Sequence, residues 1–249
     1  MRIIPRLDIK APNLVKGIRL EGLRIVGNPK DFAKRYFEEG ADEIYYQDIV
    51  ASLYNRNTLD NLVTETAKEV FIPLTVGGGL RTLDDIQKIL RSGADKVCLN
   101  TAAVKNPQLI AEGAKKFGSQ CIIVAIETIR QKNGSWKAFT DNGREHSRWD
   151  AYDWVMRAVE LGAGEILLTS VDHEGRKQGF DLEFIEKIAR QIPVPVVAHG
   201  GAGSLQHIIE AAKLGVDGLA LAHVLHYKIH TIQEIKTALS NAGFEVRGG

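Results

Sequence analysis

Cysteine is nearly absent from this chain: Cys98, in DKVCLN, and Cys121, in SQCIIVAI, are the only two in 249 residues. Both fall in apolar strand-like runs with no CxxC or metal-ligand spacing around them. That excludes a disulfide framework and a thiolate metal site, and both read as buried, reduced thiols. An excess of one charge is absent too, since 32 basic side chains face 31 acidic ones for a formal net charge of +1. No global field therefore draws the chain to nucleic acid or to an anionic membrane. Runs of about 18 apolar residues do not occur. The start, MRIIPRLDIK, turns charged within two residues and has no signal-peptide core, so a cytoplasmic protein without a membrane segment is expected. The P-loop and GxGxxG fingerprints and spaced HxH or HExxH motifs are missing, and neither a cofactor nor a metal is expected. No linker or low-complexity tract divides the chain, which reads as one domain over residues 1–249; only the final EVRGG looks frayed.

What the chain has instead is repetition. Runs rich in Val, Ile and Leu (IIPRLDI, EIYYQDI, IPLTV, DKVCL, CIIVAIE, EILLTSV, VPVVA, DGLALA) alternate with amphipathic segments such as PKDFAKRYFEEG, TLDDIQKILRSG and SLQHIIEAAKLG, many closed by a helix-capping glycine. Eight βα units in a chain of this length predict an α/β TIM barrel. The segment DFAKRYFEEGADEI (Asp31 to Ile44) aligns without a gap on DWVMRAVELGAGEI (Asp153 to Ile166), 122 positions later. At the same offset Pro73, Gly78, Gly79, Leu83, Gly93 and Asp95 meet Pro195, Gly200, Gly201, Leu205, Gly215 and Asp217. An offset near half the chain implies two similar (βα)4 halves closing one barrel.

Each glycine run, TVGGG and HGGAG, lies between a strand end and a helix start. In a barrel that is the catalytic face, where backbone N–H groups and a helix N-terminus hold anions and a residue without Cβ lets a ligand oxygen approach. A tight turn without a ligand explains one such run. Two runs related by the repeat, each followed one unit later by another strand end (Asn100 and Thr101 in LNTAAV, Ala222 and His223 in LAHVL), favour an elongated ligand with a phosphate at each end. Asp8 in RLDIK and Glu127 in VAIET end the first strands of the two halves, a pairing suited to proton transfer in both directions. Lys16 in NLVKG lies on the loop after strand 1, where it would orient a phosphate or polarise a carbonyl, or else stand solvated. Asp48, Thr169 and Glu174 end strands or open loops and are expected to line the site.

Through LDIK, LVKG, TVGGG, ADKVCLNTAAVKNP, FGSQCIIVAI, GAGEILLTSVD and GGAG, the sequence resembles the cyclase subunit of imidazole glycerol phosphate synthase over essentially its whole length. The resemblance implies a TIM barrel that receives ammonia from a glutaminase partner. It would convert a bisphosphorylated ribulosyl formimino aminoimidazole carboxamide ribonucleotide into imidazole glycerol phosphate and AICAR. It also implies that Asp8 is the general acid, that Glu127 stands where the family has its catalytic Asp, and that Lys16 contacts substrate. Gly79, Asn100 and Thr101 would hold one phosphate, and Gly175, Gly201, Ala222 and His223 the other. A charged gate at the bottom of the barrel would comprise Arg2, Glu43, Lys96 and Glu165. Read without the family, these four are charges at the N-terminal ends of strands 1, 2, 4 and 6, which pair in one ring and serve equally as a closing salt-bridge layer. The glutaminase would dock on that N-terminal face; neither cysteine here sits in a nucleophile-like turn.

The departures from the family pattern gather around the second phosphate. Glu127 and Glu174 each replace Asp, His199 and His223 stand where serines are usual, and the loop TDNGREHS differs. Partly charged imidazoles at 199 and 223 would hold the phosphate, a reading that needs fewer coincidences than a metal held with Glu174. These changes, with RLDIK and NLVKGIRLEGLR, look like cyclase-like paralogues that pass ammonia to the amidation of nitrogen-bearing surface sugars. That role stands as the alternative to the histidine-pathway reaction. A phosphosugar isomerase of the same barrel lineage is a weaker one, because it would need no charged ring.

Overall fold

The structure is a computed structural model that describes residues 1–51 and 59–248. Eight parallel strands close into a ring: β1 (Arg2–Lys10), β4 (Ile44–Asp48), β5 (Leu74–Gly77), β6 (Lys96–Leu99), β7 (Ile122–Arg130), β10 (Glu165–Ser170), β11 (Val196–His199) and β12 (Gly218–Leu221). β10 pairs with β7 on one side, and β12 returns to β1 to shut the barrel. Helices surround it, as the βα alternation predicts: α1 (Pro29–Glu38), α2 (Asp60–Ala67), α3 (Leu83–Arg91), α4 (Thr101–Lys105), α5 (Gln108–Phe117), α6 (Ala151–Glu160), α7 (Leu182–Ala189), α8 (Leu205–Ala212), α9 (His223–His226) and α10 (Ile232–Asn241). Among the described residues no helix is long and apolar enough to cross a membrane.

Two antiparallel hairpins depart from the eight-strand expectation. β2 (Asn13–Ile18) and β3 (Glu21–Gly27) follow β1, while β8 (Trp136–Thr140) and β9 (Glu145–Asp150) follow β7. The TDNGREHS stretch is therefore the end of one strand, a turn and the start of another. Cys121 also differs from expectation: it closes the short 3-10 turn Ser119–Cys121 and is half-buried, whereas Cys98 is buried and desolvation pushes its thiol up to about 12.

The sequence repeat is written into the backbone. Arg19 and Leu20, at φ 53° and 62°, turn the first hairpin, and Asp141 and Asn142, at 52° and 63°, turn the second 122 positions later. The Asp95 carboxylate accepts from Leu74 N at 2.8 Å and Asp217 from Val196 N at 2.8 Å, each pinning a strand start. Thr82 caps α3 and Ser204 caps α8 through the same side-chain bond to the third helical N–H. Strand pairing sets the two acids in equivalent places as well. Asp8 lies beside Gln47 and Glu127 beside Thr169, and Gln47 and Thr169 are again 122 apart.

Alternation along β1 divides the core. Ile3, Leu7 and Ile9 join the shell between strands and helices, while Ile4 joins Tyr45, Cys98, Ile123, Ala125, Leu167, Val197 and Ala220 inside the barrel. Arg2, Arg6 and Asp8 share the parity of Ile4, so one strand carries a charge at the floor, an apolar layer, a guanidinium and a carboxylate in succession along the axis.

Candidate active site

A cavity of ≈ 170 Å³ opens at the C-terminal face of the barrel, lined by Asp48, Gly78, Gly79, Asn100, Thr101 and Glu127 among the expected residues. Arg6, Arg81, Lys105 and Asn142 line it too and were not singled out in the sequence. Period-two alternation from Asp8 points to Arg6, and the segments after TVGGG and LNTAAV carry Arg81 and Lys105. The second glycine run borders a far tighter space of ≈ 20 Å³, lined by Glu174, Gly175, Gly200, Gly201, Ala222 and His223. That volume suits about one water.

The glycines answer first to the backbone. Gly78 has φ 98°, and a Cβ there would stand 2.2 Å from the carbonyl oxygen of Asp48. Gly201 has φ 112°, and its Cβ would stand 1.9 Å from the oxygen of Gly179. Close approach of the neighbouring backbone requires glycine at these two positions whether or not a ligand is bound. Asn100 and Ala222 share one unusual conformation, φ −135° and ψ −88° against φ −127° and ψ −73°, so the second loop of each pole has the same shape.

Glu127 is buried, and its Oε2 accepts from Gly143 N in the tip of the second hairpin at 2.8 Å. Desolvation raises its pKa to about 7, partly countered by the charge of Arg6 and by that hydrogen bond. A carboxyl that changes protonation in the neutral range is suited to proton transfer. Asp8, also buried, is ion-paired to Arg6, whose Nε donates to its Oδ1 at 2.9 Å. Asp8 lines neither cavity, and nor does fully buried Thr169. The second hairpin closes further over the first pole through Asp141 N, which donates to Thr101 Oγ1 at 3.0 Å.

Lys16 is not a solvated loop lysine. It is buried, its Nζ ion-paired to Glu174 Oε1 and donating to Gly17 O at 2.8 Å. Glu174 Oε2 accepts in turn from Leu20 N at 2.9 Å, so the first hairpin tip fastens the second pole as the second tip fastens Glu127. The expectation of partly charged imidazoles is corrected. Burial, with Arg6 and Lys16 nearby, holds His199 well below the ordinary histidine range, and His223 is lowered by burial, Lys16 and Lys177. His199 spends its Nδ1 on Arg6 Nη1 at 3.2 Å. Among the described residues no group of three or more His, Cys, Asp or Glu could hold a metal.

At the opposite end the four expected charges meet. Arg2 Nη1 lies 3.1 Å from Glu43 Oε2 and its Nη2 3.0 Å from Glu165 Oε2, while Lys96 Nζ lies 2.8 Å from Glu43 Oε2 and 3.5 Å from Glu165 Oε2. Each cation bridges both anions, so the ring is neutral and self-satisfied. Its outer side opens into a hollow of ≈ 550 Å³ between Arg2, Glu43, Lys96 and the C-terminal Glu245, Val246 and Arg247. Its inner side meets the apolar layer.

Residues 2–231 match the family of histidine biosynthesis proteins. The chain is similar to the imidazole glycerol phosphate synthase subunit HisF of Legionella pneumophila, 55% identical over 206 residues that cover 83% of this chain and 97% of that relative. The protein of the same name from Streptococcus sanguinis is 48% identical over 247 residues, 99% of this chain and 98% of the relative. That from Bacillus cereus is also 48% identical over 247 residues, with the same coverage.

Proposed function

This chain belongs to the histidine biosynthesis protein family and is an enzyme of the imidazole glycerol phosphate synthase cyclase type, and from that premise we propose how its residues divide the work. Ammonia released by a glutaminase partner enters through the ring of Arg2, Glu43, Lys96 and Glu165 and travels along the barrel axis. It meets a bisphosphorylated ribulosyl ribonucleotide at the mouth, which is converted into imidazole glycerol phosphate and AICAR. The carrying observation is the arrangement along the barrel itself: a neutral charged ring at the floor and, at the mouth, a cavity lined by Glu127.

Within the cavity, Gly79, Asn100 and Thr101 hold one phosphate, aided by the cations of Arg81 and Lys105. Gly175, Gly201, Ala222 and His223 hold the other. Glu127 takes up and returns the protons that ammonia addition and ring closure release, which its neutral-range pKa permits. Asp8 supplies the second carboxylate, oriented by Arg6. As a synthase subunit the chain works with a partner, which we place on the N-terminal face. There Phe71, 76% exposed, comes two residues before Pro73, which lines the hollow over the ring.

A second reading has its own observation. The small space at the second pole and the Lys16–Glu174 pair beside it suit ammonia passage for amidation of a surface sugar better than a substrate with two phosphates. Turnover of the bisphosphorylated ribonucleotide with saturating ammonium, followed by absorbance beside an Asp8→Asn control, separates the two. Efficient turnover abolished in the control is the expected result, and no turnover by the folded protein overturns the histidine-pathway reading.

A further inference from the structure

We propose that Arg6 takes part in the reaction itself, its free Nη2 donor binding and polarising the ketone oxygen of the substrate that ammonia attacks. This rests on the ketose character of the ribulosyl substrate proposed above.

Arg6 is 2% exposed, in the middle of the barrel. Its Nε donates to Asp8 Oδ1 at 2.9 Å. Its Nη1 lies 3.2 Å from His199 Nδ1 and 3.5 Å from Thr169 Oγ1, and the guanidinium stands 5.4 Å from the Tyr45 ring centroid. Nη2 is buried with no hydrogen-bond partner among the described residues. Native interiors rarely leave such a donor unpaired, and where they do a ligand group is a natural partner. Arg6 also lines the ≈ 170 Å³ cavity that reaches Gly79 and Asn100.

The shape of a guanidinium says where the free donor is. Its Nε–H and Nη2 groups share one edge, and Nε is engaged with Asp8, so Nη2 lies on the Asp8 side, away from the Nη1 contacts with His199 and Thr169. Strand pairing sets Arg6 beside Tyr45 and Ala125 beside Leu167, which are 122 apart, so the repeat counterpart of this arginine is a small alanine that lines the same cavity. The small Ala125 side chain leaves room in the cavity that Arg6 also lines, and a modest turn of the buried guanidinium would bring Nη2 to a ligand atom there.

Electrostatics then select the ligand group. With the Asp8 carboxylate already beside it, Nη2 is a poor seat for a phosphate dianion. A neutral carbonyl oxygen fits, because it carries full negative charge only as the nucleophile adds. In that step the ammonia lone pair forms the C–N bond and the carbonyl π pair moves to the oxygen at Nη2. Glu127 takes a proton from the new ammonium nitrogen and delivers it to that oxygen. The product is a neutral carbinolamine, with no oxidant or reductant required.

The test uses the full chain and ribulose 5-phosphate labelled with carbon-13 at its ketone carbon. Wild type should shift the bound carbonyl resonance downfield by several ppm, Arg6→Lys should shift it less, and Arg6→Met should leave it at the free value. In ammonia-dependent turnover, Arg6→Met should lower kcat about 10²-fold, the effect of losing one donor to a developing oxyanion, with KM changed by less than about five-fold. An unshifted carbonyl in wild type, a shift kept in Arg6→Met, or failure of the ketose phosphate to bind at millimolar concentration overturns the proposal. Wild-type turnover of the ribonucleotide with an unshifted carbonyl removes the role of Arg6 and leaves the cyclase reading. A shifted carbonyl without turnover does the reverse.

Discussion

Replacing Glu127 by glutamine should stabilise the protein at alkaline pH and leave it unchanged at acid pH. Burial raises the carboxyl from its ordinary 4.5 to about 7, against the opposing charge of Arg6 and the Gly143 N–H. Between those values the native state holds a proton that the unfolded chain has released. The stability linked to that proton is present in full below about pH 4.5 and is lost as the pH rises through about 7. At about 1.4 kcal/mol per unit the loss amounts to about 3 kcal/mol. Glutamine carries no such dependence, and its amide oxygen still accepts from Gly143 N. Urea unfolding of both proteins from pH 4.5 to 8.5 is the assay. The curves of stability against pH should meet at the acid end and separate by about 3 kcal/mol at the alkaline end, or roughly 6–12 °C in Tm for a chain of this size. Parallel curves would refute the assignment of a neutral-range titration to this carboxyl. In turnover the same titration should appear as a limb of the wild-type pH–rate profile near pH 7, and Glu127→Gln should abolish the limb with the activity.

Lys96→Met removes one of the two cations that bridge Glu43 and Glu165 but leaves Arg2 touching both. A stability loss of about 1–3 kcal/mol is expected, less than for a wholly orphaned buried charge. With the glutaminase partner present, glutamine hydrolysis should then outrun product formation, and unchanged coupling would remove the gate. Glu174→Gln should free Lys16 from its ion pair and tighten binding of inorganic phosphate several-fold by calorimetry, whereas wild type should bind phosphate at the Gly79 and Asn100 pole first. Equal binding at both poles in wild type would show that the Lys16–Glu174 pair does not close the second.

The barrel was legible because its strands and helices repeat, and Pro73, Gly78, Gly93 and Asp95 recur in the second half at one spacing. The pairing of Asp8 with Glu127 was legible for the same reason, and strand register places them as equivalents. The hairpins were not. β3 reads EGLRIVG and β9 reads EHSRWD, both largely outside the core and rich in charge, so neither shows the apolar run that marks a buried strand. The Asn142–Gly143 pair was the available signal, since that dipeptide favours a tight hairpin turn. Missing the hairpins hid what their tips do. Leu20 N and Gly143 N each bind one carboxylate, Glu174 and Glu127. The same contact thus occurs twice, holding Glu127 in one half of the barrel and, in the other, Glu174 with its ion-paired Lys16. Arg6 escaped for a different reason. A charged residue inside a barrel strand has no sequence signature beyond its parity with Asp8, and only its burial and its unpaired donor mark it as part of the site.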